Sequence, residues 1–262
     1  MEIEARTGSA AEASCDALIV PVAGRAGVDI LGGLASEIDP GVRQALSDLV
    51  APAQFAGKPG TVLLLTTLGR LPARRIVLAG VGEADALSED GIARGFGAAV
   101  QKAREAGARE VVAVVPPALD ADPARALTSA AIGTRLALYA FANYHGSARQ
   151  AEDGAKAIDR IVFVGDDLDP AAIARGEAIA EAINLARDLV NEPASTLTPA
   201  AFAERAREGA DREGLEIEVL DERALAELGA NAILAVGGGS VHPPRLIRLR
   251  YRPEAVAPIA GR

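Results

Sequence analysis

The stretch Arg160-Ile-Val-Phe-Val164, followed five residues later by Asp169-Pro170 and an alanine-rich segment, contains the pattern that decides the fold class. A continuously apolar run of this length is typical of a strand buried on both faces of a parallel sheet. An aspartate before proline is a helix start, because its side chain caps the helix and proline fits the first helical position. The same pattern recurs along the chain. It predicts an α/β fold with a mostly parallel sheet and helices on both faces. Further strands are predicted at Ala17–Val20, Thr61–Leu65, Arg75–Ala79 and Val111–Val115, and further helix starts at Asp39-Pro40, Asp122-Pro123 and Thr198-Pro199.

The helix after Pro170 is predicted to bury a stripe formed by Ile179, Ile183, Ala186 and Val190, which recur at intervals of three and four residues. Pro193 cannot continue a helix, so the chain turns there and a boundary between domains is expected. A helix from Pro199 to Arg212 and a strand from Leu215 to Leu220 follow.

Composition limits the classes of function. The chain has 262 residues and a formal net charge of -9, with its 27 basic residues spread along it, which argues against a nucleic-acid surface. No run of about 18 apolar residues predicts a membrane span. The acidic start, Met1-Glu-Ile-Glu4, is unlike a signal peptide, so a cytoplasmic location is expected.

The candidate nucleophiles and bases are few. The single cysteine, Cys15, precedes an apolar run and is interpreted as a buried structural residue. His145 is placed at the polar end of the helix carrying Leu136, where a cation is favoured. Ser240 and His242 imitate a nucleophile and base on one face of an extended segment. However, no G-x-S-x-G elbow occurs, and Gly237-Gly-Gly239 is interpreted as a turn between strands.

Carboxylates cluster at Asp166-Asp-Leu-Asp169, where the strand ending at Val164 would present ligands in an open sheet. A capped helix start explains them more simply than a metal or acid-base site. The pairs Glu89-Asp90 and Asp221-Glu222 have the same interpretation.

Glycine-rich loops give one weak candidate for ligand binding. Gly80-Val-Gly82 lacks the third glycine of a dinucleotide fingerprint, since Asp85 follows. The strand from Cys15 to Gly24, followed by Leu31-Gly-Gly-Leu34, resembles the ligand loop of macrodomains, the ADP-ribose binders. Val22 and Ala23 stand where macrodomains carry asparagines. A structural loop is favoured, and ADP-ribose binding is kept as the alternative function.

A series of motifs between residues 184 and 251 resembles the leucyl aminopeptidases, also called cytosol aminopeptidases. Their order and spacing carry the resemblance, although Ser195 stands where that family often has asparagine. The weaker match Leu138-Tyr-Ala-Phe-Ala-Asn-Tyr144 fits the same family. The motifs are Asn184-Leu-Ala-Arg-Asp-Leu-Val-Asn-Glu-Pro193, Leu197-Thr-Pro199, Leu234-Ala-Val-Gly-Gly-Gly-Ser240, Pro243-Pro-Arg-Leu-Ile247 and Leu249-Arg-Tyr251.

The resemblance implies a macrodomain-like, three-layer N-terminal domain over residues 1–168, a linker helix over 169–192 and the start of an incomplete α/β catalytic domain over 193–262. It also implies two divalent cations, Mn or Zn, peptide substrates and a homo-oligomer, which is a hexamer in the family. No nucleic-acid or membrane partner is expected.

The catalytic residues of the family lie on motifs that begin with Gly-Lys-Gly and Thr-Phe-Asp, and this sequence has neither. No lysine follows Lys156 and no aspartate follows Asp221. We therefore assign no catalytic, cofactor-binding or metal-binding residue in this chain. We expect the chain to be a truncated form without activity, because a two-metal site needs several converging carboxylates.

Overall fold

The computed structural model describes residues 1–10, 12–24, 55–83, 86–114, 122–165 and 168–252. The chain divides into two compact units, Met1–Arg187 and Asp188–Arg262, which are described separately below. The boundary lies near the end of the segment predicted as a linker helix.

The first unit is built on a six-stranded sheet with the order β1-β6-β5-β2-β4-β3. The first five strands in this order are parallel to one another. The mostly parallel sheet and the five strands predicted from apolar runs are therefore confirmed, whereas β1 was not predicted. The strands are β1 Glu2–Arg6, β2 Ala17–Gly24, β3 Val62–Thr66, β4 Arg75–Glu83, β5 Glu110–Val114 and β6 Arg160–Val164.

Strand β3 departs from the prediction of a central parallel strand at Thr61–Leu65. It pairs antiparallel with β4 at the edge of the sheet and is only half-buried. The connection from β3 to β4 is a short turn in which Thr67 donates its N–H to the carbonyl of Arg74 at 3.2 Å. A connection this short reverses the chain, whereas a parallel pair needs a long crossover.

The described part of this unit has four helices, and two of them begin at the predicted aspartate-proline signals. The Asp122 side chain accepts from the N–H groups of Ala124 and Arg125, and Asp169 accepts from Ala171 at 2.9 Å. The predicted start at Asp39-Pro40 lies outside the described residues. The helices are α1 Glu89–Glu105, α2 Pro123–Ala137, α3 Ser147–Ala155 and α4 Pro170–Asn191.

Two apolar clusters lie on the two faces of the sheet. Helices α1, α2 and α4 contribute to the first, where the rings of Phe96 and Phe163 lie 5.7 Å apart. The second cluster combines strand residues such as Leu18 with non-helical segments around Ala13 and Phe55. A helical layer on this second face, and hence a three-layer domain, stays a prediction.

Helices α1 and α2 approach each other backbone to backbone. A Cβ atom added at Gly133 would lie 2.0 Å from the carbonyl oxygen of Ala93, and one at Gly97 would lie 3.0 Å from the carbonyl oxygen of Gly133. Only glycine fits at Gly133, since real Cβ atoms do not come this close to other heavy atoms.

The apolar stripe predicted to be buried on α4 is exposed in the described structure, so this prediction is wrong. Ile179, Ile183 and Val190 are 41%, 38% and 84% exposed. The helix instead packs through small residues near its start, where a Cβ atom added at Gly176 would lie 2.7 Å from the carbonyl oxygen of Thr128. The periodicity of the sequence identifies which face of α4 is apolar. It does not show whether another part of the chain packs against that face.

The second unit contains an antiparallel pair of strands, β7 Glu216–Leu220 and β8 Leu246–Arg250. Its helices are α5 Pro199–Glu213, α6 Glu222–Glu227 and α7 Asn231–Gly237. The predicted helix after Thr198 and the following strand are therefore confirmed.

Gly237-Gly-Gly239 ends helix α7, so the prediction of a turn between two strands is wrong. The short apolar run before these glycines suits either a helix or a strand, and length alone does not decide between them. A Cβ atom at Gly237 would lie 2.6 Å from the Pro244 ring, which explains the glycine by close packing.

None of the helices in the described part of the chain is long and apolar enough to cross a membrane.

Candidate functional site

Cys15 lies buried just before β2, as predicted. Burial raises the pKa of its thiol to about 11, because the charged thiolate is poorly solvated there. A neutral, buried thiol is a poor nucleophile. The structural interpretation of Cys15 is therefore favoured.

The predicted position of His145 at the end of a helix is wrong. Helix α2 ends at Ala137, and His145 lies in a later turn, where its N–H donates to the carbonyl of Ala142 at 3.0 Å. Leu138, the residue after the helix, has a non-helical backbone conformation. The side chain of His145 borders a cavity with several basic residues.

Ser240 and His242 do not form a nucleophile and base. Both are exposed, and the Ser240 hydroxyl oxygen accepts a hydrogen bond from the backbone N–H of His242 at 3.1 Å. This turn orients the Ser240 hydroxyl toward the backbone N–H of His242 rather than toward the His242 imidazole.

The candidate carboxylates that the structure describes cap helices or form ion pairs. Asp169 and Asp221 accept hydrogen bonds from the first N–H groups of α4 and α6. Glu89, in the first turn of α1, accepts from the Arg125 guanidinium at 2.8 Å. Asp166 and Asp167 lie outside the described residues, so their interpretation stays a prediction.

The described residues do not fit a two-metal centre. Within the described ranges, no group of three or more histidine, cysteine, aspartate or glutamate side chains comes close enough to hold a metal ion. A pair of Mn or Zn ions needs such a converging set.

The glycines at the carboxyl ends of β2 and β4 serve packing within the chain. A Cβ atom at Gly80 would lie 2.2 Å from the carbonyl oxygen of Lys58, and one at Gly24 would lie 2.1 Å from that of Ala56. The segment around Gly57 therefore packs directly against β2 and β4, which explains these glycines by close approach. The rest of the macrodomain-like loop, Leu31-Gly-Gly-Leu34, lies outside the described residues, and nucleotide binding there stays a prediction.

Within the first unit, Arg187 connects α4 to the end of α2. It belongs to the motif Asn184–Pro193, the first of those that carry the family resemblance. The Arg187 guanidinium donates to the carbonyl of Leu136 at 3.2 Å and lies over the Tyr139 ring, 5.4 Å from its centroid. Arg187 thus links the first of these motifs to Tyr139 of the weaker match, a role that the sequence did not reveal.

In the second unit, the later motifs build the start of α5 and the β7–β8 pair. Thr198 caps α5 by accepting from the N–H of Ala201 at 3.3 Å, and Glu192 lies 3.9 Å from Arg205. The arginines of β8 and its flanks pair with acids of β7 and α6. The pairs are Arg250 and Arg252 with Glu216, Arg248 with Glu218, and Arg245 with Glu222.

Comparison with known proteins assigns both units to one family. Residues 20–148 match the model of the cytosol aminopeptidase family N-terminal domain, and residues 184–260 match the model of its catalytic domain. A Geobacter protein named "Probable cytosol aminopeptidase" is 36% identical over 227 residues, which is 86% of this chain and 46% of that protein.

Two solved structures share this architecture. The bottromycin maturation enzyme BotP in complex with Mn is 29% identical and has a TM-score of 0.69, covering 92% of this chain and 46% of that one. A mutant of tomato leucine aminopeptidase has a TM-score of 0.79 over 98% of this chain and 52% of that one. At 22% identity, the tomato structure supports the fold alone.

The fold and these matches define a mixed α/β protein of the aminopeptidase type. The chain belongs to the cytosol aminopeptidase family. It spans about half the length of the curated relatives that it matches.

Proposed function

We propose that the chain supplies the N-terminal domain and the first part of the catalytic domain of a metal-dependent aminopeptidase that releases N-terminal amino acids from peptides. The 262 residues by themselves do not hydrolyse peptides. The observation that carries the proposal is the match of residues 184–260 to the catalytic-domain model in a sequence without the family's Gly-Lys-Gly and Thr-Phe-Asp motifs.

The metal chemistry belongs to residues that this sequence does not contain. The resemblance implies two divalent cations, Mn or Zn, which in such centres activate a water molecule and polarise the scissile carbonyl. The described side chains do not offer a matching ligand set. We therefore derive no catalytic step from this chain and assign its residues a supporting role.

The test uses two proteins and one assay. The 262-residue chain and a chimera, in which the remaining catalytic sequence of the Geobacter relative follows residue 260, are incubated with leucine amide and Mn or Zn. We expect metal-dependent release of leucine from the chimera alone, and loss of that activity with a chelator. Chelator-sensitive turnover by the 262-residue chain would contradict the proposal, and so would a folded but inactive chimera.

We also propose that the chain forms a homo-oligomer, as the family resemblance implies, and acts in the cytoplasm, as the name of its relatives suggests. Light scattering of the purified chain should give a defined multiple of its 26.8 kDa mass. A monomer at all concentrations would count against assembly through these residues.

A further inference from the structure

The second unit buries very little apolar surface within its described residues, 188–252. In this range only Ala203, Ala210 and Leu225 are buried. The first unit, by contrast, buries two apolar clusters on the faces of its sheet. A unit of about 75 residues needs substantial apolar burial to offset the conformational entropy that folding costs. The described part of the second unit therefore leaves much of its apolar surface uncovered.

Large apolar side chains of the second unit are exposed instead. Helix α7 has the sequence Asn231-Ala-Ile-Leu-Ala-Val-Gly237 but no buried residue. Phe202 in α5 is 43% exposed, and Leu249 in β8 is 51% exposed. Apolar side chains that form a continuous patch on a protein surface mark an interaction site. The other exposed large apolar residues of the described range are Val190, Leu228, Val236, Val241 and Tyr251.

The β7–β8 pair has one charged face and one apolar face. On the charged face, the glutamates of β7 pair with arginines of β8 and its flank. Ile217 lies opposite Leu249 and Val219 lies opposite Ile247, and these alternate residues share the second face. None of the four is buried. An antiparallel sheet normally packs its apolar face against a core, so this face lacks part of its cover.

A groove of about 560 Å³ continues this apolar face to the start of α5. Ile247 borders the groove from β8, and Phe202 borders it from α5. Arg245, the one charged residue among its described borders, already pairs with Glu222. The groove therefore offers apolar contact rather than charge, which is typical of the centre of a protein interface. Its other described borders are Leu197, Thr198 and Pro199.

The family match supports one occupant for this surface. The exposed residues of β8 and α5 lie within residues 184–260, which match the catalytic-domain model. The chain spans 46% of the Geobacter relative and 50% of an Alkaliphilus oremlandii relative, so each relative contains about as much chain again. Sequence that follows β8 reaches the surface at a high effective concentration, whereas a second copy loses translational freedom when it binds.

We propose, on the basis of the proposed function, that the rest of an aminopeptidase catalytic domain docks on the apolar face of β7–β8 and fills the groove beside Phe202. This docking gives the second unit the apolar core that residues 188–252 do not form by themselves.

Thiol footprinting of the 262-residue chain and of the chimera with the Geobacter relative tests the proposal. Phe202→Cys and Leu249→Cys each place a thiol on the surface, and the native Cys15 is buried, so it contributes little background. We expect both introduced thiols to react with iodoacetamide roughly ten times more slowly in the chimera than in the 262-residue chain, because the reaction requires access to the sulfur.

Leu68→Cys is the matched control. Leu68 is 83% exposed in the turn between β3 and β4 of the first unit, so the introduced thiol should react equally fast in both proteins. Circular dichroism establishes that each variant is folded. A chimera with the Alkaliphilus oremlandii relative replaces the first chimera if that protein does not fold.

The proposal is overturned if the thiols of Phe202→Cys and Leu249→Cys are as reactive in a folded chimera as in the 262-residue chain, or if neither chimera folds. It is also overturned if these thiols become protected in the 262-residue chain as its concentration rises, since a second copy would then cover the surface. Leucine release tests the proposed function separately. An inactive chimera with protected thiols contradicts that function and supports docking, whereas an active chimera with reactive thiols supports the function and contradicts docking.

Discussion

Replacing Gly133 by alanine tests how closely α1 and α2 pack. The new Cβ atom would lie 2.0 Å from the carbonyl oxygen of Ala93 and 2.6 Å from its carbonyl carbon and Cα. These are backbone atoms of a helix, so no side-chain rotation relieves the clash, and the helices must separate by about 1 Å to restore ordinary contact.

The expected loss of stability follows from two opposing contributions. Overpacking costs about 1–3 kcal/mol, and the short distance to backbone places Gly133→Ala at the upper end. Alanine gains about 1 kcal/mol over glycine as a helix former. We expect a net loss of about 2 kcal/mol in the free energy of unfolding, or roughly 4–8 °C in melting temperature for a unit of this size.

Urea unfolding followed by circular dichroism measures this change, and hydrogen exchange of the α1 and α2 amides localises it. Gly97→Ala should cost less, since its Cβ atom would lie 3.0 Å from the nearest atom. Gly154→Ala, a control in α3 with no atom within 4 Å of the added Cβ, should leave stability unchanged or raise it slightly. If Gly133→Ala is as stable as the unaltered chain, the backbone contact between the helices is not as described.

Three further predictions concern charge and exposure. Asp16 accepts from the N–H groups of Arg109 and Glu110 and pairs with Arg74, and these backbone hydrogen bonds, above all that from Arg109, lower the pKa of its carboxyl. The contribution of this carboxylate to the free energy of unfolding is complete above its pKa in the unfolded chain, which is about 4. It is lost as the pH falls through the lower pKa that the carboxyl has in the folded chain. Asp16→Asn should therefore cost roughly 1 kcal/mol at pH 7, and in urea titrations the difference should shrink below pH 4. A constant difference across pH would exclude this cause. Cys15, with its pKa of about 11, should react with iodoacetamide at pH 8 far more slowly in the folded than in the urea-unfolded chain. Equal rates would mean that the thiol is accessible. Ile183→Ser should change the free energy of unfolding by less than about 0.5 kcal/mol, whereas Phe163→Ala should cost about 3–5 kcal/mol. A large effect at Ile183 would mean that its face of α4 is covered in the purified chain.

The sequence predicts the elements of this fold better than their arrangement. The runs at Ala17–Val20 and Arg160–Val164 are strands because both of their faces are apolar, and Asp122 and Thr198 begin helices because their side chains cap them. These signals are local. The strand order is not determined by local signals, because pairing between distant segments depends on the packing of the whole unit.

The incorrect predictions for β3 and for the apolar stripe of α4 have the same cause, since both depend on how distant segments pack. The apolar run of β3 resembles those of the central strands, yet its short turn to β4 places it antiparallel at the edge. Ile179 and Ile183 form a regular stripe, yet α4 packs through Gly176 and other small residues that give little periodic signal. The functional assignment came from the resemblance, because the motifs that carry it keep their order and spacing along the sequence.

The pairing of β1 with β6 also governs how the first unit forms during synthesis. Glu2 lies opposite Arg160, so the first strand made has its parallel partner only in the last strand of the sheet. Until about residue 164 has left the ribosome, the nascent chain carries β1 without its partner and β5 with an open edge. Long-range pairing of this kind is slow, and open edges bind other chains. The sheet can therefore be completed only late in synthesis, when β6 has been made and β1 can pair with it.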